Sequence, residues 1–130
     1  MAVYRILLDS HVFLWLIQEP DKIGKQTLSA ISSGEGVNLS IASIWELAIK
    51  YSRSRLEFSP RQLLEAAETS NINLLGISAN HLIDLPKITT VHGDPFDKML
   101  LAQGLSENLP LVTADTVLLS SKFQTIDARK

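Results

Sequence analysis

Short apolar runs that alternate with longer segments of helical period constrain this chain more than any other feature, because that alternation is how a sequence encodes a parallel sheet with crossover helices. Val3 to Leu8 reads as a buried first strand, followed by a helix from Ser10 to Gln18 that Pro20 helps to end. Gly24 to Ser33 reads as a second helix closed by Gly34 and Gly36, and Val37 to Ser40 as a short second strand. Ser43 then opens a helix whose apolar positions Ile44, Leu47, Ala48 and Tyr51 recur at helical spacing. Ser59 followed by Pro60 predicts an N-cap with proline in the first helical position, with Leu63, Leu64 and Ala67 as the buried stripe.

Ile72 to Leu75 reads as the third strand, and Ser78 to Leu85 as a short helix stopped by Pro86. A polar loop from Lys87 to Gly93 leads to a helix that Asp94 and Pro95 start and that runs to about Asn108. Leu109 to Thr113 is the fourth strand, Asp115 begins a short helical turn, and Phe123 to Ile126 is an edge-strand candidate. The expected architecture is a three-layer α/β/α fold around a mainly parallel twisted sheet. A length of 130 residues suits one domain over residues 1–130.

Four acids stand just beyond strands or in the first turn of the next helix: Asp9, Glu46, Asp97 and Asp115. In parallel α/β sheets such positions converge on the carboxyl edge, where ligands bind. Each acid has a structural explanation as well. Ser43 and Glu46 have the spacing of a capping box, Asp94 to Asp97 offers an N-cap with an acid on the helix dipole, and Asp9 and Asp115 can cap short helices. Several carboxylates crowded at one edge repel one another, however, and a hard divalent cation with oxygen ligands removes the conflict. Mg²⁺ or Mn²⁺ held there against a phosphate could support hydrolysis by an activated water.

Other chemistries find less support. The chain has no cysteine, which excludes a disulfide framework, a thiolate zinc site and a cysteine nucleophile, and suits a reducing cytoplasm. His11, His81 and His92 lack the paired spacing of a zinc motif, and only His92, two residues before Asp94, is placed to overlook the acids and touch phosphate. No Gly-x-Ser-x-Gly elbow is present. The longest unbroken apolar run, Val12 to Ile17, is too short to span a bilayer, and the N-terminal stretch lacks the form of a signal peptide, so no membrane association is expected. A net charge of −2 argues against binding nucleic acid by bulk charge, leaving a local basic stretch of Lys50, Arg53, Arg55 and Arg61 around the single acid Glu57.

The segments that carry these acids have a familiar form. Leu7-Leu8-Asp9-Ser10-His11-Val12-Phe13-Leu14-Trp15, Ser40-Ile41-Ala42-Ser43-Ile44-Trp45-Glu46-Leu47-Ala48-Ile49-Lys50, His92-Gly93-Asp94-Pro95-Phe96-Asp97-Lys98-Met99-Leu100-Leu101-Ala102-Gln103 and Leu111-Val112-Thr113-Ala114-Asp115 occur in that order. The ordered set resembles the PIN-domain ribonucleases, most closely the toxin half of VapC-type toxin–antitoxin pairs. The resemblance implies a Mg²⁺- or Mn²⁺-dependent endoribonuclease with Asp9, Glu46 and Asp97 as central acids, Asp115 as the fourth, and water as nucleophile. It implies that Ser10 and Thr113 order water and that Asp94 supports the site by capping the helix of Asp97. Lys50, Arg53, Arg55, His92 and Lys98 are the candidate RNA phosphate contacts. It further implies a homodimer restrained by a cognate antitoxin, with Trp15, Trp45 and Phe58 either serving those contacts or lying in the core. Lys98 stands where relatives often carry arginine, and Ser54 where they often carry glycine. An aspartyl-phosphate enzyme is the lesser alternative, since His11 occupies the position of its second acid. A catalytically silent module binding RNA or protein is the non-enzyme one.

Overall fold

The structure is a computed structural model that describes residues 5–33, 35–89 and 91–130. Val3, Tyr4 and Gly34, part of the predicted first strand and helix stop, lie outside them. Five strands, β1 (Arg5–Leu8), β2 (Gly36–Ser40), β3 (Asn73–Leu75), β4 (Leu111–Thr113) and β5 (Thr125–Asp127), form one sheet. Every pairing is parallel and the order is β3-β2-β1-β4-β5. The helices are α1 (Ser10–Gln18), α2 (Lys25–Ser33), α3 (Ile41–Ser52), α4 (Pro60–Thr69), α5 (Ala79–Asp84), α6 (Pro95–Glu107) and α7 (Thr116–Leu119), with 3₁₀ turns at Pro20–Lys22 and Leu85–Lys87. Among the described residues no helix is long and apolar enough to cross a membrane.

The side chains of β1 point alternately to opposite faces of the sheet, as strand geometry requires. Ile6 and Leu8 pack with Val12, Phe13, Ile31, Leu47, Leu63 and Ala67 of α1 to α4, whereas Leu7 packs with Leu100, Leu101, Leu111 and Leu118 on the other side. Helices therefore cover both faces, which is why Ile6 to Leu8 of β1 and all of β4 are buried without alternation. Helix α6 is buried from Met99 to Gly104 on all sides, so its apolar residues do not form one stripe.

Several expected boundaries move. Helix α3 begins at Ile41, not Ser43: Ser40 ends β2 and is itself the N-cap, its hydroxyl accepting from Ala42 N–H at 3.0 Å. The Ser43–Glu46 capping box is therefore absent; Ser43 Oγ is buried with no partner, and Glu46 sits in the second turn. Gly36 opens β2 and does not close α2. Tyr51, grouped by spacing with the apolar positions of α3, is exposed. The Ser59–Pro60 and Asp94–Pro95 starts form as expected, the first with a full capping box to Gln62.

Ser54 adopts a φ of 57°, in the left-handed region that favours glycine. Its hydroxyl offers no compensating hydrogen bond among the described residues. Ser54→Gly is expected to raise unfolding stability by about 1 kcal/mol, read as a higher urea midpoint at unchanged slope. A lower midpoint would mean that the turn is not strained.

Candidate metal centre

The strand order reverses at β1, with β2 on one side and β4 on the other. Ligands of open α/β sheets bind in the crevice beyond the carboxyl ends at such a point, and here the crevice receives carboxylates from four segments. Asp9 follows β1 directly, its N–H donating to Val112 O at 2.9 Å and so continuing the ladder one residue beyond the strand. Although it occupies the N-cap position of α1, its side chain makes no capping bond. Glu46 projects from α3, Asp97 from the first turn of α6, and Asp115 from the N-cap of α7. Asp9, Glu46, Asp94, Asp97 and Asp115 line one cavity of about 460 Å³, joined at its rim by Lys50 and Arg129.

Hydroxyl groups orient two of the acids. Thr113 Oγ1 donates to Asp9 Oδ2 at 2.6 Å and accepts from Asp115 N–H at 3.1 Å, so one fully buried threonine ties the first acid to the segment carrying the last. The short distance is that of a charge-assisted bond. Ser10 Oγ donates to Glu46 Oε1 at 2.8 Å. Both hydroxyls, expected to order water, direct their single proton to a carboxylate instead. Asp94 caps α6 as expected, its Oδ1 accepting from Phe96 N–H at 2.9 Å and Asp97 N–H at 3.2 Å.

Capping accounts for some of the acids and not for others. Asp94 and Asp115 cap helices, Asp115 Oδ1 accepting from Val117 and Leu118. Asp9 and Asp97 do not. The Asp97 carboxyl is pushed up from 3.8 to about 7, first by burial and then by the carboxylates of Asp9 and Asp94; His92 opposes the rise and Glu46 adds to it. Burial and neighbouring anions together favour the protonated form, and the anions make this a place where a cation would be stabilised.

His92 approaches two acids, with Nε2 3.1 Å from Asp97 Oδ2 and 3.6 Å from Asp115 Oδ2. Ligand atoms of these three residues lie within 4.8 Å of one another, a spacing compatible with shared coordination. The tautomer argues for a different role: His92 Nδ1 accepts from Asp94 N–H at 3.3 Å, which puts the proton of the neutral ring on Nε2. As arranged, His92 donates to the acids and is not a ligand. The carboxylates of Asp9, Glu46, Asp97 and Asp115 give the cavity an all-oxygen donor set, the chemistry that suits a hard divalent cation.

Not every predicted site residue reaches the cavity. Lys50 does, with Nζ 3.7 Å from Glu46 Oε2. Arg53 caps the end of α3 and Arg55 lines a separate depression with Tyr51 and Phe58, while Arg53, Arg55, Arg61 and Lys98 are absent from the cavity lining among the described residues. Trp45 is 57% exposed and meets Phe96 edge to face, contrary to a core placement, whereas Phe58 packs against the core. His81 is buried in a network with Ser78, Gln103 and Glu107. His11, set aside on spacing, also lines the cavity, and so does Arg129, which sequence reasoning misses. No local signal marks Arg129, because its position depends on β5 pairing with β4 at the edge of the sheet.

A family model described as "PIN domain" matches residues 6–122. Ribonuclease VapC22 of Mycobacterium tuberculosis is 28% identical over 123 residues, covering 90% of this chain and 92% of that protein. Among solved structures, VapBC2 from Rickettsia felis bound to a DNA fragment from their promoter aligns with a TM-score of 0.70 at 15% identity, over 97% of this chain and 98% of that one. DNA-bound VapBC from Salmonella typhimurium aligns at 0.68 and 18% identity, over 96% and 98% of the two chains. A toxin–antitoxin complex from Klebsiella pneumoniae aligns at 0.61 and 15% identity, over 95% and 97%. These structural likenesses support the all-parallel α/β/α fold.

Proposed function

Because the chain belongs to the PIN-domain family, we propose that it is a metal-dependent endoribonuclease acting as the toxin of a toxin–antitoxin pair. The observation that carries this reading is the convergence of Asp9, Glu46, Asp97 and Asp115 on one cavity beyond the carboxyl ends of β1 and β4, with Asp97 half-buried there. Asp9, Glu46, Asp97 and Asp115 would hold Mg²⁺ or Mn²⁺, which when bound supplies charge neutralisation at the scissile phosphate and a water ready to attack.

The chain's own residues prepare that chemistry. Thr113 and Ser10 hold Asp9 and Glu46 each in one orientation through bonds of 2.6 and 2.8 Å, and Lys50 approaches the other oxygen of Glu46. Asp94 holds the first turn of α6 and with it Asp97. His92 Nε2–H, placed within reach of Asp97 and Asp115, is a proton donor that could serve a leaving oxygen. Likeness to Ribonuclease VapC22 supports RNA as the substrate, and likeness to VapBC complexes supports a cognate antitoxin as partner. A homodimer, a cytoplasmic setting and one domain over the whole chain complete the reading.

Mapping cleavage sites on total cellular RNA tests it. The wild type should cut at a limited set of positions with Mn²⁺ or Mg²⁺ and stop when the ion is chelated. Cutting that persists unchanged in chelator would overturn metal dependence, and the same cuts from Asp97→Asn would identify a contaminant.

A further inference from the structure

We propose that Arg129 is a substrate-positioning residue, which binds an RNA phosphate beside the scissile one on the β4 side of the acid cavity. This rests on the nuclease reading above. Arg129 lies two residues beyond β5, yet its side chain reaches the cavity rim next to Asp115. Its guanidinium stacks 5.9 Å from the centre of the Trp15 ring, and one of its NH₂ groups donates to Ala114 O at 2.8 Å. Those contacts use one ring face and one N–H. The remaining donors of the fork stay available, and among the described residues Arg129 forms no ion pair with any carboxylate. An exposed arginine beside an acidic cavity that pairs with none of its acids is placed for an outside anion.

The backbone around Arg129 is held in place. Ala128 is buried and donates to Thr113 O at 2.9 Å, Gly24 N–H donates to Ala128 O at 2.8 Å, and Gln26 N–H donates to Lys130 O at 2.8 Å. Arg129 N–H itself donates to Asp127 Oδ1 at 3.0 Å. The fit at Gly24 is so close that a Cβ there would stand 2.4 Å from the Arg129 carbonyl carbon. Lys50 lies on the opposite flank, on the helix that follows β2, whereas Arg129 belongs to the β4 side. One cation on each side of Asp9 gives a single strand a phosphate contact before and after the acids, which a net-acidic protein needs in order to hold a polyanion locally.

The test follows cleavage of a mixed-sequence single-stranded oligoribonucleotide with Mn²⁺ over a range of salt. Arg129→Gln should raise KM about tenfold with kcat within about twofold, and should reduce the salt slope of log kcat/KM by ~0.7, the value for one single-strand phosphate contact. Arg129→Lys should recover most of the slope. Lys122→Gln, a cation that rests on Phe123 away from the cavity, should leave both parameters unchanged. An unchanged slope in Arg129→Gln, or a fall in kcat accompanied by a lower melting temperature, overturns the assignment while the nuclease reading stands. A wild type that cuts no RNA under any metal condition overturns the nuclease reading, and this assignment with it.

Discussion

Asp97→Asn is expected to give a protein that is more stable and nearly inactive. The stability half follows from the sign of the titration. Asp97 has a folded value of about 7 against an ordinary 3.8, so between those limits the folded state binds more protons than the unfolded one, and stability falls as pH rises. Below about pH 4 both states are protonated and nothing is lost; above about pH 7 the whole cost is present. A rise from 3.8 to about 7 corresponds to about 4 kcal/mol. The amide must still be desolvated and regains only part of it, so roughly 2 kcal/mol is expected for metal-free protein at alkaline pH, vanishing near pH 4. Urea melts of the two proteins in chelator, at several pH values, measure this. The activity half should be a loss of about a thousandfold, equivalent to about 4 kcal/mol of transition-state stabilisation. A variant that is less stable at every pH would show that Asp97 acts mainly as a helix-dipole partner.

Adding Mn²⁺ or Mg²⁺ should stabilise the wild type as strongly as any substitution proposed above. An ion that binds only the folded state contributes about 2.7 kcal/mol at a hundredfold excess over its Kd, or roughly 10 °C in Tm for a chain of this length. Asp9→Asn should remove most of that gain. Since a proton on Asp97 competes with the ion, apparent affinity should weaken about tenfold for each pH unit below about 7. Equal melting temperatures with ion and with chelator, from pH 6 to pH 8, would leave the acids without a shared cation.

Much of this site is legible in the sequence because its parts are local. The strand and helix periods place Asp9 after β1 and Asp115 after β4, and Asp94-Pro95 marks the start of α6 with Asp97 in its first turn. Glu46 is found for a partly mistaken reason. A helix that starts on the last residue of a strand leaves no loop to read, and Ser43 has the composition of a cap without the position. Ser54 is legible in the opposite sense, since a departure from glycine falls on a residue whose φ of 57° favours glycine. Tyr51 is exposed although spacing groups it with buried positions, because periodicity identifies a face and not how far its neighbours cover it. Arg129 fails because it is a tertiary residue, placed by the pairing of the last strand and by Gly24, about a hundred positions earlier.

The bond between Thr113 and Asp9 joins residues 104 positions apart. During translation the first acid leaves the ribosome long before the hydroxyl that orients it, and β4 cannot take its place beside β1 until Thr113 has followed. Asp97 and Asp115 also emerge late. A nascent chain thus lacks the assembled acid cavity, which can form only once the last strands have been made.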